Sequence, residues 1–181
     1  MSTSLLTLDI QAGLADAIGS PALLERVGRA LAGARERGLL IVAVKVGLRP
    51  GHPEVSERNV PFSGIAAANA FVEGESSAFD PVVAPQSGEI AVTKRRIGAF
   101  AGTDLETVLR ANGITDLVLC GLSTSGVVLS TFRAALDLDY RLTVLRDACA
   151  DPDPDVHAVL LDKVFARHGA VRTVDEWIAR S

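Results

Sequence analysis

Chemistry-bearing side chains stand at the ends of several short apolar runs in the sequence. Asp9 follows the first run, Lys94 follows another, and residues 121–126 form a stretch of Gly, Leu, Ser and Thr after a third. An acid and a base that lie close together can move protons on a bound molecule. A Ser- and Gly-rich stretch that begins a helix offers free backbone N–H groups. These residue types are suited to acid–base chemistry on a small substrate.

The proximity of these residues depends on the elements that carry them. Apolar runs typical of buried strands alternate with segments of helical periodicity. This alternation predicts an α/β fold of three layers, αβα, around a doubly wound, mostly parallel sheet of five to six strands. The length predicts one domain, residues 1–181. Ligands of such sheets bind beyond the carboxyl ends of the strands, so Asp9, Lys94, residues 121–126 and Asp147 are predicted to meet at one edge.

Residues 47–89 are the least regular part of the sequence. A short helix is predicted around Gly64 to Phe71, and long connections of this kind inside a compact domain are usually functional. Elsewhere capping residues predict where helices begin, namely Ser20 before Pro21, Thr103 with Glu106, and Thr173 with Glu176.

Composition limits the classes of function. The formal net charge of −4 gives no general reason to expect a nucleic-acid partner, which would need a basic face. The apolar runs are too short to span a membrane. No secretory signal precedes the first strand, so a cytoplasmic protein is expected. The cysteines form no CxxC pair and the three histidines are scattered, so neither a metal site nor another cofactor is predicted.

Five motifs, in chain order, carry a resemblance to a known family. The sequence resembles the isochorismatase-like, or cysteine hydrolase, superfamily at Asp9-Ile10-Gln11, at Lys94 with Gly98-Ala99-Phe100, at Gly121-Leu122-Ser123-Thr124, at Val128 with Thr131, and at Asp147-Ala148. The resemblance implies the isochorismatase-like hydrolase fold, a cis peptide bond between Leu122 and Ser123, and a homo-oligomer.

One position departs from the cysteine-hydrolase pattern. In that branch of the family an Asp–Lys–Cys triad attacks amides, and the resemblance places the cysteine at Val127, whose side chain has no nucleophilic atom. Isochorismatases proper also lack this cysteine and hydrolyse a vinyl ether through protonation. The resemblance therefore implies Asp9 as general acid or base and Lys94 as its electrostatic partner. Whether Cys120, Cys149 or a serine replaces the missing nucleophile stays open at this point.

The remaining candidates are substrate-binding residues. Arg95 and Arg96 suit an anionic, carboxylate-bearing small molecule. The other predicted contacts with substrate are Gln11, Phe100, Leu122, Ser123, Thr124, Gly126 and Val127. The main hypothesis is a hydrolase that works without a cysteine nucleophile. The alternative is a catalytically silent member that binds a ligand or a protein partner.

Overall fold

A six-stranded parallel sheet forms the centre of the computed structural model, which describes residues 2–180. Every neighbouring pair of strands is parallel, and the order across the sheet is β3-β2-β1-β4-β5-β6. This architecture confirms the predicted doubly wound sheet. The strands are β1 (Thr3–Leu8), β2 (Leu40–Val46), β3 (Ile90–Lys94), β4 (Asp116–Leu122), β5 (Arg141–Ala150) and β6 (Ala170–Arg172).

The central strands are apolar because both of their faces are covered. All but the first residue of β1 are buried, as are all but the first residue of β4. A strand in this position exposes neither face to water, so the alternation of polar and apolar residues disappears. Apolar runs in the sequence therefore located these strands.

Within residues 2–180, six α-helices lie in the connections between strands and a seventh follows the last strand. Since crossovers between parallel strands are right-handed, connections that run from β1 towards β3 and those that run from β4 towards β6 lie on opposite faces of the sheet. Within residues 2–180 no helix has the length and apolar character needed to span a bilayer. The helices are α1 (Ala12–Ile18), α2 (Pro21–Glu36), α3 (Val60–Ala67), α4 (Leu105–Ala111), α5 (Leu129–Asp137), α6 (Pro154–Val159) and α7 (Val174–Ile178).

The strand order reverses direction between β1 and β4. A crevice forms at such a switch point, beyond the carboxyl ends of the two strands. Gly121 allows the two strands to approach here: its φ is +153°, and a Cβ at this position would overlap the carbonyl oxygen of Leu8. Only glycine satisfies both requirements.

Several local predictions were wrong. The helix expected around Gly64 to Phe71 lies at Val60–Ala67, because Asn59 caps it and Pro61 occupies its first turn. Helix α1 was not predicted at all. The expected capping box at Thr103 is absent, since helix α4 begins at Leu105 and Asp104 precedes it. The capping box at Thr173 is confirmed.

Strand β5 is also longer than the apolar run Leu142 to Leu145 that predicted it. It continues to Ala150, so Asp147 lies within the strand and not at the edge where the sequence placed it. The Asp147 carboxylate accepts a hydrogen bond from Val174 N at 2.9 Å and lies 3.6 Å from Arg26 Nε. Asp147 therefore holds helices α2 and α7 against the sheet and does not reach the ligand-binding edge.

Candidate active site

Asp9 and Lys94 form a buried ion pair at the carboxyl edge of the sheet. Asp9 directly follows β1 and Lys94 ends β3, so the lysine side chain crosses the end of β2 to reach the acid. Lys94 Nζ lies 2.8 Å from Asp9 Oδ2. Asp9 is 6% exposed and Lys94 is 2% exposed. The structure therefore brings these two residues into contact, as their positions at strand ends predicted.

The two partners differ in how completely the protein satisfies them. Lys94 Nζ also donates a hydrogen bond to the carbonyl oxygen of Arg96 at 3.0 Å. Asp9 Oδ1 is buried and accepts no hydrogen bond from any of residues 2–180. A buried polar atom without a partner costs free energy and calls for a structural or functional reason. Because Asp9 lines a pocket, a bound molecule can supply the missing donor.

The pKa of Asp9 follows from this environment. Burial raises the pKa from 3.8 to about 6, and the neighbouring ammonium of Lys94 opposes that rise without cancelling it. Burial disfavours the charged form of a carboxyl group more than one cation favours it here. An acid whose pKa lies near neutral pH can both donate and accept a proton during a reaction.

The ion pair lies in a small pocket with apolar walls. The pocket has a volume of about 200 Å³. Much of one wall comes from the irregular segment between β2 and β3, which contributes side chains that sequence reasoning did not select. Pro61, Phe62 and Ile65 lie in α3, and Phe71 follows it; the sequence misplaced this short helix and so did not identify the side chains that it presents. The apolar lining residues are Leu14, Ile18, Val46, Pro61, Phe62, Ile65, Phe71, Ile97, Leu122 and Val127.

The opposite wall is the turn that follows β4. The peptide bond between Leu122 and Ser123 is cis, which confirms the prediction. Leu122, Ser123, Gly126 and Val127 line the pocket as predicted, while Thr124 does not. The chain then forms one π-helical turn, Thr124–Val128, that continues into α5.

Two backbone N–H groups of this turn already have partners inside the protein. Ser125 N donates to Asp151 Oδ2 at 2.6 Å, and Gly126 N donates to Ser123 Oγ at 3.2 Å. The prediction that the turn presents its free N–H groups to substrate is therefore wrong for these two donors. Asp151 was missed because β5 was predicted to end before Ala150; extending that strand would have placed Asp151 at this edge.

Thr124 faces away from the pocket and joins the turn to α6. Its hydroxyl lies 3.1 Å from the carbonyl oxygen of Ala150 and 2.8 Å from His157 Nδ1. If the hydroxyl donates to Ala150, His157 Nδ1 carries a proton and donates to Thr124. Burial lowers the pKa of His157. These contacts hold the turn in place from behind.

The two predicted arginines do not line the pocket. Arg95 Nε lies 3.0 Å from Glu54 Oε1, and Arg95 Nη2 contacts Glu73. Arg96 donates to the carbonyl oxygen of Glu54 at 3.1 Å and to that of Arg95. Both side chains thus fasten the segment before α3 to the end of β3. Their binding to a substrate carboxylate stays a prediction.

Gln11 and Phe100 also have partners within the fold. The Gln11 amide bridges Val46, accepting from Val46 N at 3.0 Å and donating to Val46 O at 2.9 Å, and it donates to Ser77 O at 3.0 Å. Phe100 stacks on Tyr140 with 6.1 Å between ring centroids. Neither side chain lines the pocket. Gln11 positions Val46, which does line it.

Neither cysteine is placed to replace a nucleophile. Cys120 lies in β4 and Cys149 in β5, both are buried, and neither lines the pocket. Burial raises the pKa of the Cys120 thiol and raises that of Cys149 to about 12. Because a protonated thiol is a poor nucleophile, both cysteines are inert in this structure. Among residues 2–180, no three His, Cys, Asp or Glu side chains form a metal-binding group.

Known proteins share both this sequence pattern and this fold. Residues 3–176 match the model of the isochorismatase domain. An uncharacterized isochorismatase family protein, YecD, of Escherichia coli O157:H7 is 33% identical over 97% of this chain and 94% of its own length. The maleamate amidohydrolase of Pseudomonas putida is 32% identical over 86% of this chain and 72% of its own length.

A solved structure of an isochorismatase family protein has the same fold. An isochorismatase family protein from Burkholderia thailandensis superposes with a TM-score of 0.85 at 28% identity, covering 99% of this chain and 96% of that one. These matches are consistent with the sheet order and with the buried acid and base. The chain belongs to the isochorismatase family of hydrolases.

Proposed function

We propose that this protein hydrolyses a small substrate by proton transfer through Asp9, with water in place of a cysteine nucleophile. The observation that carries the proposal is the half-satisfied carboxyl group of Asp9, buried in an apolar pocket beside Lys94. A carboxyl group in such surroundings is suited to general acid–base catalysis.

The residues present support a two-stage reaction. The protonated carboxyl of Asp9 transfers its proton to the substrate, and the ammonium of Lys94, 2.8 Å away, stabilises the carboxylate that results. Water then bonds to the electron-poor carbon of the substrate. The proton released by that water returns to Asp9, which restores the starting state. The adduct then breaks its bond to the leaving group: for a vinyl ether, the hydroxyl proton of the hemiketal passes to the departing alcohol oxygen as the C–O bond breaks, and a carbonyl compound remains. No covalent intermediate with the protein is needed.

Val127 supports water as the nucleophile. Its side chain lines the pocket, at the position where the resemblance places the cysteine of the amide-hydrolysing branch. Valine cannot form an acyl-enzyme. An amide such as maleamate, after which the Pseudomonas putida relative is named, would therefore need direct attack by water here. A vinyl ether, which is activated by protonation alone, suits these residues better.

The test is a substrate screen on the wild type and Asp9→Asn. Vinyl ethers, esters and amides, each with and without a carboxylate, are incubated with both proteins while the products and the melting temperature are followed. Turnover by the wild type that is lost in Asp9→Asn supports the proposal. Turnover that survives unchanged in the variant contradicts the role of Asp9.

Val127 also favours a second candidate, a ligand-binding member of the family without catalytic activity. The pocket, the acid and the base would then serve recognition alone. A ligand that raises the melting temperature, together with no turnover of any substrate in the screen, would support this candidate. Partners other than a small molecule, a cytoplasmic location and homo-oligomeric assembly stay predictions from the sequence.

A further inference from the structure

We propose that the pocket selects an uncharged ligand whose head group donates a hydrogen bond to Asp9, and that it discriminates against carboxylates. This inference rests on the proposed function, in which the same pocket is the active site. It departs from the sequence-based prediction of a carboxylate-bearing substrate, and four features of the described residues support it.

The first feature is the charge inside the pocket. Of the described residues that line it, only Asp9 and Lys94 are charged, and they pair with each other at 2.8 Å. Their formal charges cancel when both are ionised. A carboxylate entering this pocket would lose its hydration and find no unpaired cation, which is unfavourable in apolar surroundings.

The second feature is the engagement of the nearest arginines. Arg95 is paired with Glu54 and Glu73, and Arg96 donates to the carbonyl oxygens of Glu54 and Arg95. Recruiting Arg95 to a ligand would take a partner from Glu73 and one of two cations from Glu54, which also lies 3.7 Å from Arg49. Neither Arg95 nor Arg96 lines the pocket, so neither places a cation inside it.

The third feature is the state of the turn after β4. An anion could bind the N–H groups of Ser125 and Gly126 if they were free. The carboxylate of Asp151 already occupies the first and the hydroxyl of Ser123 the second. Neither of these two N–H groups is therefore free to receive a substrate carboxylate.

The fourth feature states what the ligand must supply. At neutral pH, above its pKa of about 6, Asp9 is mainly ionised and its Oδ1 is a buried acceptor without a donor. An ionised carboxylate ligand has no proton to offer it. Lys94 uses two of its three N–H donors, on Asp9 Oδ2 and Arg96 O. A head group with one donor and one acceptor, such as an alcohol or a primary amide, matches both. The apolar walls select a compact apolar body behind it.

Binding of four-carbon probes tests this inference without any turnover. Butyramide, 1-butanol and butyrate are titrated into the wild type at neutral pH, and the ¹H–¹⁵N signals of Gly126 and Val127, which line the pocket, report binding. Butyramide and 1-butanol are expected to bind at least about ten-fold more tightly than butyrate, a difference of about 1.4 kcal/mol. Butyramide and butyrate have nearly the same shape, so charge and donor capacity alone separate them.

A charge-changing variant makes the test sharper. Asp9→Asn leaves Lys94 without its counter-ion, so the order of affinity should reverse in favour of butyrate. Asp116→Asn is the matched control, since it removes a carboxylate from an ion pair with Arg141 outside the pocket and should leave the order unchanged. If Asp9→Asn does not fold, the wild-type order alone decides.

Two results would overturn the inference: tighter binding of butyrate to the wild type, or no binding of any of the three probes. The proposed function fails separately, by the absence of turnover in the substrate screen. If the wild type prefers butyramide but hydrolyses nothing, the inference about the ligand class stands and the proposed catalytic function fails. If the wild type hydrolyses only carboxylate-bearing substrates, the catalytic function stands and the inference about the ligand class fails.

Discussion

Two aspartates, each paired with a cation, lie at opposite ends of the same sheet and behave in opposite ways. Asp9 meets Lys94 at the carboxyl edge, inside the pocket. Asp116 and Arg141, the first residues of β4 and β5, form a two-fold contact at the other edge, with distances of 2.8 and 2.9 Å. Hydrogen bonds from Arg141 lower the pKa of Asp116, whereas burial raises that of Asp9.

The difference shows that a partner of opposite charge does not by itself decide how a carboxyl group behaves. Asp116 has both oxygens bonded by Arg141 and is open to water. Asp9 has one oxygen bonded by lysine and one oxygen unbonded, and only 6% of the residue is exposed. The protein stabilises the carboxylate ion at one edge, and burial destabilises it at the other.

The largest expected effect is on catalysis. Asp9→Asn should lower the rate of any hydrolysis found in the substrate screen by about 100-fold to 10,000-fold, because an amide cannot exchange the proton. Asp116→Asn should leave the rate unchanged. Comparing kcat for the two variants measures the contrast directly. Equal losses in both would mean that the effect comes from folding and not from the pocket.

A cysteine introduced into the pocket tests whether this site also affects the reactivity of a thiol. Val127→Cys should react with iodoacetamide about ten-fold or more faster than any thiol of the wild type, because it joins Lys94 in the pocket. Val128→Cys is the control, since Val128 is fully buried and does not line the pocket. Intact mass spectrometry counts the adducts. Labelling of Cys120 or Cys149 in the wild type would contradict the inertness assigned to them.

The pH dependence of stability should differ between the two edges. Between pH about 4 and 6 the folded protein keeps a proton on Asp9 that the unfolded chain has lost, so the free energy of unfolding falls as the pH rises. About two pKa units correspond to about 3 kcal/mol. In urea unfolding, the free energy of the wild type minus that of Asp9→Asn should decline across this range, since the other carboxyl groups contribute equally to both proteins. Parallel curves for the two proteins would refute the raised pKa.

The smallest expected effect belongs to the exposed pair. Arg141→Gln should reduce the free energy of unfolding at neutral pH only slightly, as for other solvent-exposed ion pairs. Since the pKa of Asp116 is lowered, this contribution is present above the ordinary pKa of an aspartate and is lost as the pH falls. Urea unfolding at neutral and acidic pH gives the two values. A loss as large as the change expected from Asp9 would contradict the assignment of this pair to the exposed surface.

The sequence was informative wherever local pattern fixes structure. Apolar runs identified the strands, and the general rule for parallel sheets then brought Asp9 to Lys94 although they are far apart in the chain. The sequence could not show that Arg95 pairs with Glu54 and Glu73, because those partners lie in an irregular segment without periodicity. Nor could it show that Asp151 caps the turn at Ser125. Such long-range polar contacts decide which predicted residues remain available to a ligand.

Gly121 has a consequence for how this protein can evolve. Every single-base change that replaces a glycine codon by another amino acid adds a Cβ, and here that atom would overlap the Leu8 carbonyl. The residues on either side of this contact lead directly to Asp9 on one strand and to Leu122 on the next. A mutation at Gly121 would therefore push β1 and β4 apart directly below the pocket. At this one position, no residue that a single-base change can introduce fits the space beside Leu8.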